Sequence, residues 1–258
     1  MKIGIVGYGH VGKAMHKLFL NAVVYDKYLG IGDKEEINLC DAVFVCVPTP
    51  QTQDGHCDTS AVEEVIRWVE SKVIVLRSTV YVGFTDEMRN KYNKEIVFQP
   101  EYYGETAAHP FAELNSRQWL VFGGSKRGIN LAIRAYQDVI NSNVRIFQSN
   151  AKDAEMAKYM ENAFLALKVT FCNEMFDIAK SLGADYNRVR EIWVADPRIG
   201  TSHTFVYEEK RGYGGNCLPK DISSIVSQAK DQNVNCELLE SVIRKNNIYK
   251  SINSDQQS

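Results

Sequence analysis

The residues with the clearest capacity for covalent chemistry lie near the end of the chain, in the segment Gly212–Asp221. A glycine-rich turn precedes Cys217, and Lys220 and Asp221 follow it three and four residues later. A thiolate is a strong nucleophile, a nearby lysine favours the thiolate, and a carboxylate can exchange protons. The segment therefore predicts a nucleophilic cysteine, and the alternative is a buried structural thiol.

A second chemical motif opens the chain. Gly7, Gly9 and Gly12 form the pattern GxGxxG between a predicted strand and a predicted helix, and Asp26 ends the next predicted strand. In dinucleotide sites such glycines form the turn, admit the pyrophosphate and let the helix pack on the strand, while the acid binds the ribose hydroxyls. The phosphates lie at the helix N-terminus.

The expected cofactor is NAD, because the Asp26 carboxylate repels the 2′-phosphate of NADP, although the neighbouring Lys27 weakens this preference. The predicted contacts in the motif are Gly7, Gly9, His10, Val11, Gly12 and Asp26. Residues 7–13 also fit the glycine and lysine positions of a nucleotidase phosphate loop, but Ala14 stands where that loop needs a hydroxyl for magnesium. A plain tight turn is the other alternative.

Hydroxyl side chains follow two further predicted strands, at Thr49 and at Ser78 and Thr79. Ligands of open α/β sheets bind at the carboxyl ends of the strands, so these residues are predicted to face cofactor or substrate. The alternative is that they cap the turns or helices that follow. Lys158 and Asn162, four residues apart, share one face of a predicted helix and can stabilise an oxyanion, unless that face is merely solvated.

The elements that must position these residues fall into two groups. Short apolar runs alternate with amphipathic segments up to about residue 150, which predicts a Rossmann-type, doubly wound parallel sheet. Asp153–Leu182 contains no glycine or proline and has helical apolar spacing, which predicts one long helix followed by shorter ones. We therefore expect an NAD-binding domain over residues 1–149 and a helical domain over residues 150–258.

The predicted strands are Lys2–Val6, Ala22–Tyr25, Ala42–Val47, Val73–Leu76, Ile96–Phe98, Trp119–Phe122 and Val144–Ile146. The predicted helices are Val11–Phe19, Thr59–Glu70, Gly83–Tyr92, Gly128–Ile140, Asp153–Leu182, Tyr186–Val194, Ile222–Lys230 and Glu237–Lys250.

Bulk composition narrows the class of protein. The 258 residues carry a formal net charge of -2, which argues against a nucleic-acid binder. The first predicted strand begins at Lys2 and leaves no room for a signal peptide, and no apolar run is long enough to span a bilayer. The six cysteines show no CxxC pair or disulfide-scaffold spacing, so we expect a cytoplasmic protein without a metal site.

Taken in order, these motifs resemble those of the UDP-glucose/GDP-mannose 6-dehydrogenases, and the resemblance covers nearly the whole chain. The matching positions are Gly7–Gly12 with Asp26, Val47–Pro50, Ser78–Val80 with Gly83, Pro100 and Glu101 with Glu105, Lys158 and Tyr159 with Asn162 and Ala163, Asn173 and Glu174, Asp196–Gly200, and Gly214 and Gly215 with Cys217, Pro219, Lys220 and Asp221.

The resemblance implies that NAD oxidises C6 of a nucleotide sugar twice, from alcohol to acid. Cys217 would form a thiohemiacetal and then a thioester, which retains the aldehyde-level species while the cofactor is exchanged. Lys158 and Asn162 would stabilise the oxyanions. Asp221 would be the acid/base group, with a water held by Thr79.

Further implied roles concern the cofactor, the substrate and the assembly. Glu105 would assist deprotonation or thioester hydrolysis, and Glu101 would order the carboxylates and water. Arg198 would reach the substrate across a homodimer interface built on the long helix, and Lys220 would contact the cofactor. The implied substrate contacts are Glu101, Glu105, Lys158, Asn162, Arg198, Gly214 and Cys217.

The sequence also departs from the family. Gly104 stands before Glu105 where a basic residue is common, and the chain ends at Ser258, before the third domain that holds much of the nucleotide in that family. The base and the sugar therefore stay open. Two other functions also stay open: a single-step β-hydroxyacid-type dehydrogenase that uses Lys158 and does not need Cys217, and an NAD-binding module without activity.

Overall fold

The structure is a computed structural model that describes residues 1–102 and 118–255. Its strands are β1 (Ile3–Val6), β2 (Val23–Tyr25), β3 (Ala42–Val45), β4 (Val73–Leu76), β5 (Ile96–Phe98), β6 (Trp119–Gly124) and β7 (Arg145–Ser149). Its helices are α1 (His10–Leu18), α2 (Lys34–Asn38), α3 (Ser60–Trp68), α4 (Phe84–Tyr92), α5 (Lys126–Tyr136), α6 (Ala151–Ser181), α7 (Tyr186–Val194), α8 (Leu218–Asp231) and α9 (Glu237–Asp255).

The strands form one sheet in the order β2-β1-β3-β4-β5-β6-β7. Strands β1 to β5 are parallel, β6 is antiparallel to β5, and β7 is parallel to β6. The residues of β1, β3, β4 and β5 are all buried, as expected for strands that are covered on both faces. The predicted fold class is confirmed, with a reversal of direction at the last two strands.

Alternating side chains of the central strands enter two separate apolar clusters. Val43 and Val45 pack with residues of α2, α3 and α4, whereas Phe44 packs with residues of α1 and α5. Helices thus cover both faces of the sheet. Because β1 lies between β2 and β3, the strand order reverses direction there, and open α/β sheets bind ligands at such a point, outside the carboxyl ends of the strands.

The chain divides into two compact units. The first contains Met1–Thr52 and Cys57–Lys158, and the second contains Gln53–His56 and the described residues from Tyr159 onward. The units divide within helix α6, between Lys158 and Tyr159, whereas the domain boundary predicted at residue 150 lies just before this helix. In the second unit, Ala166 on α6, Ile222 on α8 and Val242 on α9 belong to one apolar cluster.

Most element bounds agree with the predicted ones within two residues, but five elements differ. Strand β7 ends at Ser149 rather than Ile146, and helix α5 ends at Tyr136 rather than Ile140. Helix α2 was not predicted; Asp33 caps it by accepting from the Glu36 N–H at 2.8 Å. Helix α8 begins at Leu218 rather than Ile222, because Pro219 fits the first turn of a helix. Helix α9 continues past Lys250 to Asp255.

Candidate active site

The glycine loop after β1 has the backbone geometry that a dinucleotide needs. Gly7 has a φ of +92°, and a Cβ on Gly12 would lie 1.9 Å from the Gly7 carbonyl oxygen, so neither position admits a side chain. A Cβ on Gly9 would meet nothing within 4 Å. Gly9 also precedes the first turn of α1. The loop therefore leaves open space at a helix N-terminus, which suits a pyrophosphate.

Asp26 lies beside this loop and is held by the backbone. Its carboxylate accepts N–H groups of Tyr8 at 2.7 Å, Tyr28 at 2.9 Å and Leu29 at 3.0 Å. Partial burial raises the pKa of Asp26, but these three donors outweigh it and hold the pKa below its usual value. The side chain is thus a carboxylate at neutral pH.

The neighbouring cation is engaged elsewhere. The Lys27 ammonium donates to the Glu64 carboxylate at 3.3 Å, an exposed pair that offsets part of its charge. A negative Asp26 beside a paired Lys27 suits ribose hydroxyl donors and disfavours a 2′-phosphate. The residues present therefore fit NAD.

The predicted hydroxyl residues lie after the strand ends, and the hydroxyl of one of them, Ser78, serves the scaffold. The Ser78 hydroxyl donates to the Val47 carbonyl at 2.6 Å, so it ties the end of β4 to the end of β3. The buried Cys57 thiol lies 3.3 Å from the Thr79 carbonyl oxygen and 3.8 Å from that of Thr49. Thr79 itself is half-buried. Sequence analysis missed Cys57, which nothing marks as different from a small core residue.

Glu101 forms a buried ion pair that the sequence did not reveal. Arg77, at the end of β4, donates through its guanidinium to the Glu101 carboxylate and, at 3.3 Å, to the Gln99 carbonyl. The Arg77 side chain is 1% exposed and that of Glu101 is 9% exposed. The two opposite charges are thus buried together as a pair. Glu105, the other predicted glutamate, lies outside the described residues.

Lys158 belongs to the first unit and is buried, with 8% of its surface exposed. Its ammonium lies 4.8 Å from the centre of the Tyr102 ring, which is cation–π distance. One turn earlier, Glu155 accepts the backbone N–H groups of Gly83 at 2.6 Å and Thr85 at 3.0 Å. Glu155 thereby fixes the first turns of α6 against the start of α4. The interpretation as a solvated face is wrong for Lys158.

In the second unit, three predicted residues are in direct contact. Asp221 is 1% exposed, and its two carboxylate oxygens accept from the Asn162 amide at 2.5 Å and from the Lys220 ammonium at 2.5 Å. Asn162 is 4% exposed, so it does not lie on a solvated face either. The pairing gives Asp221 a fixed orientation and places a cation beside it.

Cys217 lies one turn before Asp221 and is exposed. It is the residue that precedes α8, and its carbonyl accepts the Asp221 N–H at 2.9 Å. A thiol at a helix N-terminus is stabilised as a thiolate by the free N–H groups of the first turn. Before it, Gly215 has a φ of +74°, and a Cβ there would meet nothing within 4 Å. The alternative of a buried structural thiol does not hold for this position.

Arg198 is exposed and does not join these residues within the described chain. Its guanidinium forms a forked pair with the Asp196 carboxylate, with Nε 3.0 Å from both oxygens and Nη2 2.5 Å from one. The hydrogen bonds from Arg198 lower the pKa of Asp196. On the same loop, the carbonyl groups of Ile199 and Gly200 accept from Lys168 at 2.9 Å each.

Comparison with protein families decides the identity of both units. Residues 17–140 match the NAD binding domain of the UDP-glucose/GDP-mannose dehydrogenase family, and residues 152–248 match the central domain of the same family. The chain belongs to the UDP-glucose/GDP-mannose dehydrogenase family. The expectation of NAD as cofactor is confirmed by the first of these matches.

Individual members of the family show the same relationship. The chain is 34% identical over 217 residues to the UDP-glucose 6-dehydrogenase YwqF of Bacillus subtilis, a match that covers 80% of this chain and 48% of YwqF. It is 29% identical over 297 residues to a UDP-glucose 6-dehydrogenase of Streptococcus pneumoniae, covering 97% of this chain and 74% of that one. The chain thus spans about half the length of several curated relatives that it matches.

Solved structures of the family have the same fold. A UDP-glucose dehydrogenase from Pyrobaculum islandicum superposes with a TM-score of 0.80 at 25% identity, over 96% of this chain and 68% of that one. A UDP-D-ManNAc dehydrogenase from Pyrococcus horikoshii gives a TM-score of 0.81 at 24% identity, over 98% and 69% of the two chains. None of the helices in residues 1–102 and 118–255 is long and apolar enough to cross a membrane.

Proposed function

We propose that this protein is an NAD-dependent dehydrogenase that oxidises the C6 alcohol of a nucleotide sugar to the acid through a covalent bond to Cys217. The observation that carries the proposal is the exposed thiol of Cys217 at the start of α8, one turn from the buried Asp221. An NAD-binding domain alone does not need this pair. The names of the relatives, which are UDP-sugar and GDP-mannose dehydrogenases, supply the substrate class.

In the first stage of the proposed reaction, the C6 hydroxyl proton passes to Asp221 through a water held by Thr79. When bound, NAD accepts hydride from C6 in each of the two oxidations. Asp221 suits the proton transfers because Asn162 and Lys220 fix both of its oxygens. The product of the first stage is an aldehyde.

In the second stage, the Cys217 sulfur bonds to the aldehyde carbon, and the carbonyl oxygen becomes an oxyanion. Lys158 and Asn162 are the proposed partners of this oxyanion. Loss of the second hydride gives a thioester. Water then adds to the acyl carbon and the thiolate leaves, so the reaction yields one carboxylate, two NADH and the corresponding protons.

A screen for NADH release tests this proposal with UDP-glucose, GDP-mannose, UDP-N-acetyl sugars and simple hydroxyacids. We expect two NADH per nucleotide sugar, and no acid from the Cys217→Ala or Cys217→Ser variant. Cys236→Ser is the matched control, since Cys236 is a partly exposed cysteine in the same unit. Full acid formation by Cys217→Ala would refute the covalent mechanism.

The same screen separates the two alternatives. A single-step dehydrogenase, for which the buried Lys158 is the natural acid/base, releases one NADH per substrate and tolerates the loss of Cys217. A module without activity binds NAD in calorimetry and turns over none of the substrates. Both predictions differ from the proposed outcome in a measured stoichiometry.

We also propose that two copies of the chain associate through α6. Within the second unit this helix exposes apolar side chains at helical spacing, namely Met160, Phe164, Phe171 and Ile178, and the exposed Leu182 follows its last residue. Phe164→Glu is expected to convert a dimer to a monomer in analytical ultracentrifugation. Leu39→Glu, which changes an even more exposed apolar residue of the first unit, is the control. A wild-type monomer at micromolar concentration would remove this part of the proposal.

A further inference from the structure

A buried arginine lies at the root of the loop that carries Cys217. Arg211 is 7% exposed and precedes the glycine-rich turn. Its Nε donates to the Asn173 side-chain oxygen at 2.7 Å, and its Nη2 donates to the Asn173 carbonyl at 2.9 Å and to the Asp177 carboxylate at 2.8 Å. The guanidinium carbon lies 4.8 Å from the ring centres of both Phe176 and Tyr249. Charged side chains are seldom buried unless they are paired, so these contacts explain how Arg211 is accommodated.

The two helices that contact Arg211, α6 and α9, also hold the backbone that follows it. The Asn173 side-chain oxygen accepts the Gly212 N–H at 3.2 Å. The Asn246 side chain of α9 accepts the Tyr213 N–H at 2.7 Å and donates to the Tyr213 carbonyl at 3.1 Å. Gly212 has a φ of +76°, and a Cβ there would lie 2.5 Å from the Asn246 oxygen. Residues 211–213 are thus fixed to α6 and α9, whereas Gly214–Cys217 are exposed.

We propose that Arg211 is a positioning residue that holds the Gly214–Cys217 segment in place for the reaction at Cys217. The inference rests on the proposed function. The exposed segment runs from the fixed root at residues 211–213 to the start of α8, so a displacement at the root moves the backbone of residues 214–216 and, through it, Cys217 relative to Asp221.

The chemical identity of Arg211 supports this role. A guanidinium presents several donors in one plane, so it can contact Asn173 and Asp177 while its faces pack on Phe176 and Tyr249. A lysine keeps the charge but has a single nitrogen, and it cannot make these contacts together. Arg211→Lys therefore loosens the root without removing the cation, which separates geometry from charge.

The matched control is Arg190→Lys. Arg190 is a second buried arginine of the same unit, 8% exposed, whose Nε donates to Thr204 at 2.8 Å and whose guanidinium lies 3.4 Å from the Phe205 ring centre. Like Arg211, it makes a side-chain hydrogen bond and a cation–π contact, but to another loop. If a loss of kcat or of Cys217 alkylation follows only from removing a buried guanidinium, it should occur in both variants.

Two measurements are made on each variant. The first is turnover of the sugar nucleotide, for which Arg211→Lys is expected to lower kcat about tenfold or more, because small displacements of reacting groups have large effects on rate. The affinity for NAD should stay within about twofold of wild type in calorimetry, since the predicted NAD contacts of the glycine loop lie in the first unit.

The second measurement does not need turnover. Iodoacetamide is added to the wild type and to each variant, and alkylation of every cysteine is followed by peptide mass spectrometry. In Arg211→Lys we expect the alkylation rate of Cys217 to fall to about one third of the wild-type rate or below. The reason is that the thiol is held less well at the helix N-terminus that favours the thiolate. The buried Cys172 of the same unit reports unfolding and should stay unreactive.

The outcomes separate this inference from the proposed function. Wild-type kcat and wild-type Cys217 alkylation in Arg211→Lys would overturn the inference, and so would equal losses in Arg190→Lys accompanied by reactive Cys172. If Cys217→Ser still forms acid, the proposed function fails, and the alkylation rates still decide whether Arg211 positions the thiol.

Discussion

The two units build their candidate functional groups from different materials. In the first unit the nucleotide loop consists of backbone: glycines that leave space, N–H groups at a helix start, and Asp26 held by three backbone donors. In the second unit the site consists of side chains that bind one another, with Asp221 between Asn162 and Lys220. Backbone recognises a cofactor shape, whereas reactive groups must be oriented one by one. Substitutions in the first unit should therefore change NAD affinity or stability, whereas substitutions in the second unit should change kcat.

The largest effect is expected for Asp221→Asn. The substitution keeps the size of the side chain but removes the proposed proton acceptor and turns an N–H donor toward Asn162 or Lys220. We expect kcat to fall about 10²- to 10⁴-fold, the usual contribution of a general acid or base, with unchanged NAD affinity. Turnover and calorimetry on the same preparation check this.

Ser224→Ala serves as the control for Asp221→Asn. Ser224 is fully buried on the same helix, and its hydroxyl lies 3.1 Å from the Tyr159 hydroxyl. Its loss removes a buried hydrogen bond without touching Asp221. A kcat of Asp221→Asn within tenfold of wild type, or an equal loss in Ser224→Ala, would mean that Asp221 is structural.

The second-largest effect is expected in the first unit and concerns stability. Gly12→Ala places a Cβ 1.9 Å from the Gly7 carbonyl oxygen, so the backbone must move. The free energy of unfolding should fall by about 1–3 kcal/mol or more, as in other overpacked sites. Chemical denaturation of the wild type and of the variant measures the loss.

Gly9→Ala is the matched substitution in the same loop. A methyl group there meets no protein atom within 4 Å, and the φ of -74° suits alanine, so stability should change by less than about 0.5 kcal/mol. NAD affinity should fall about tenfold, or about 1.4 kcal/mol, because the methyl group occupies the space proposed for the pyrophosphate. Unchanged NAD affinity in Gly9→Ala would place the cofactor elsewhere.

How much of this could be predicted from the sequence depends on the range of the interactions. The strands β3, β4 and β5 were predicted to within two residues, because strands buried on both faces are continuous apolar runs. The glycine loop was also predictable, since its residues are adjacent in sequence. Helix α2 also has a local signal, because Asp33 followed three residues later by Glu36 is typical of a helix start.

The interactions that hold the site in the second unit had no such signal. Asn162 and Asp221 are 59 residues apart, and only the packing of α6 and α8 brings them together. Nothing in the sequence marks Arg211 as buried, since arginines are mostly exposed and its partners Asn173 and Asp177 are more than 30 residues away. Long-range pairs between polar residues follow no sequence period, so the contacts of each charged residue had to come from the structure.

The smallest expected effect concerns Glu155, which accepts backbone N–H groups at the start of α4 within the first unit. Burial raises the pKa of its carboxyl above the usual value, against the opposing hydrogen bonds at Thr85 and Gly83. The folded state therefore retains a proton at pH values where the unfolded chain has lost it. Stability contributed by this proton is present below the unfolded pKa, about 4.3, and is lost as pH rises toward the folded pKa.

Asp26, in the same unit, has a lowered pKa and the opposite sign: its contribution is present above its unfolded pKa, about 3.9, and is lost as pH falls. Glu155→Gln should remove the first dependence and Asp26→Asn the second. Denaturation curves between pH 3 and pH 7 give the difference from wild type for each variant. A difference for Glu155→Gln that does not vary with pH would show that this carboxyl ionises alike in the folded and the unfolded chain.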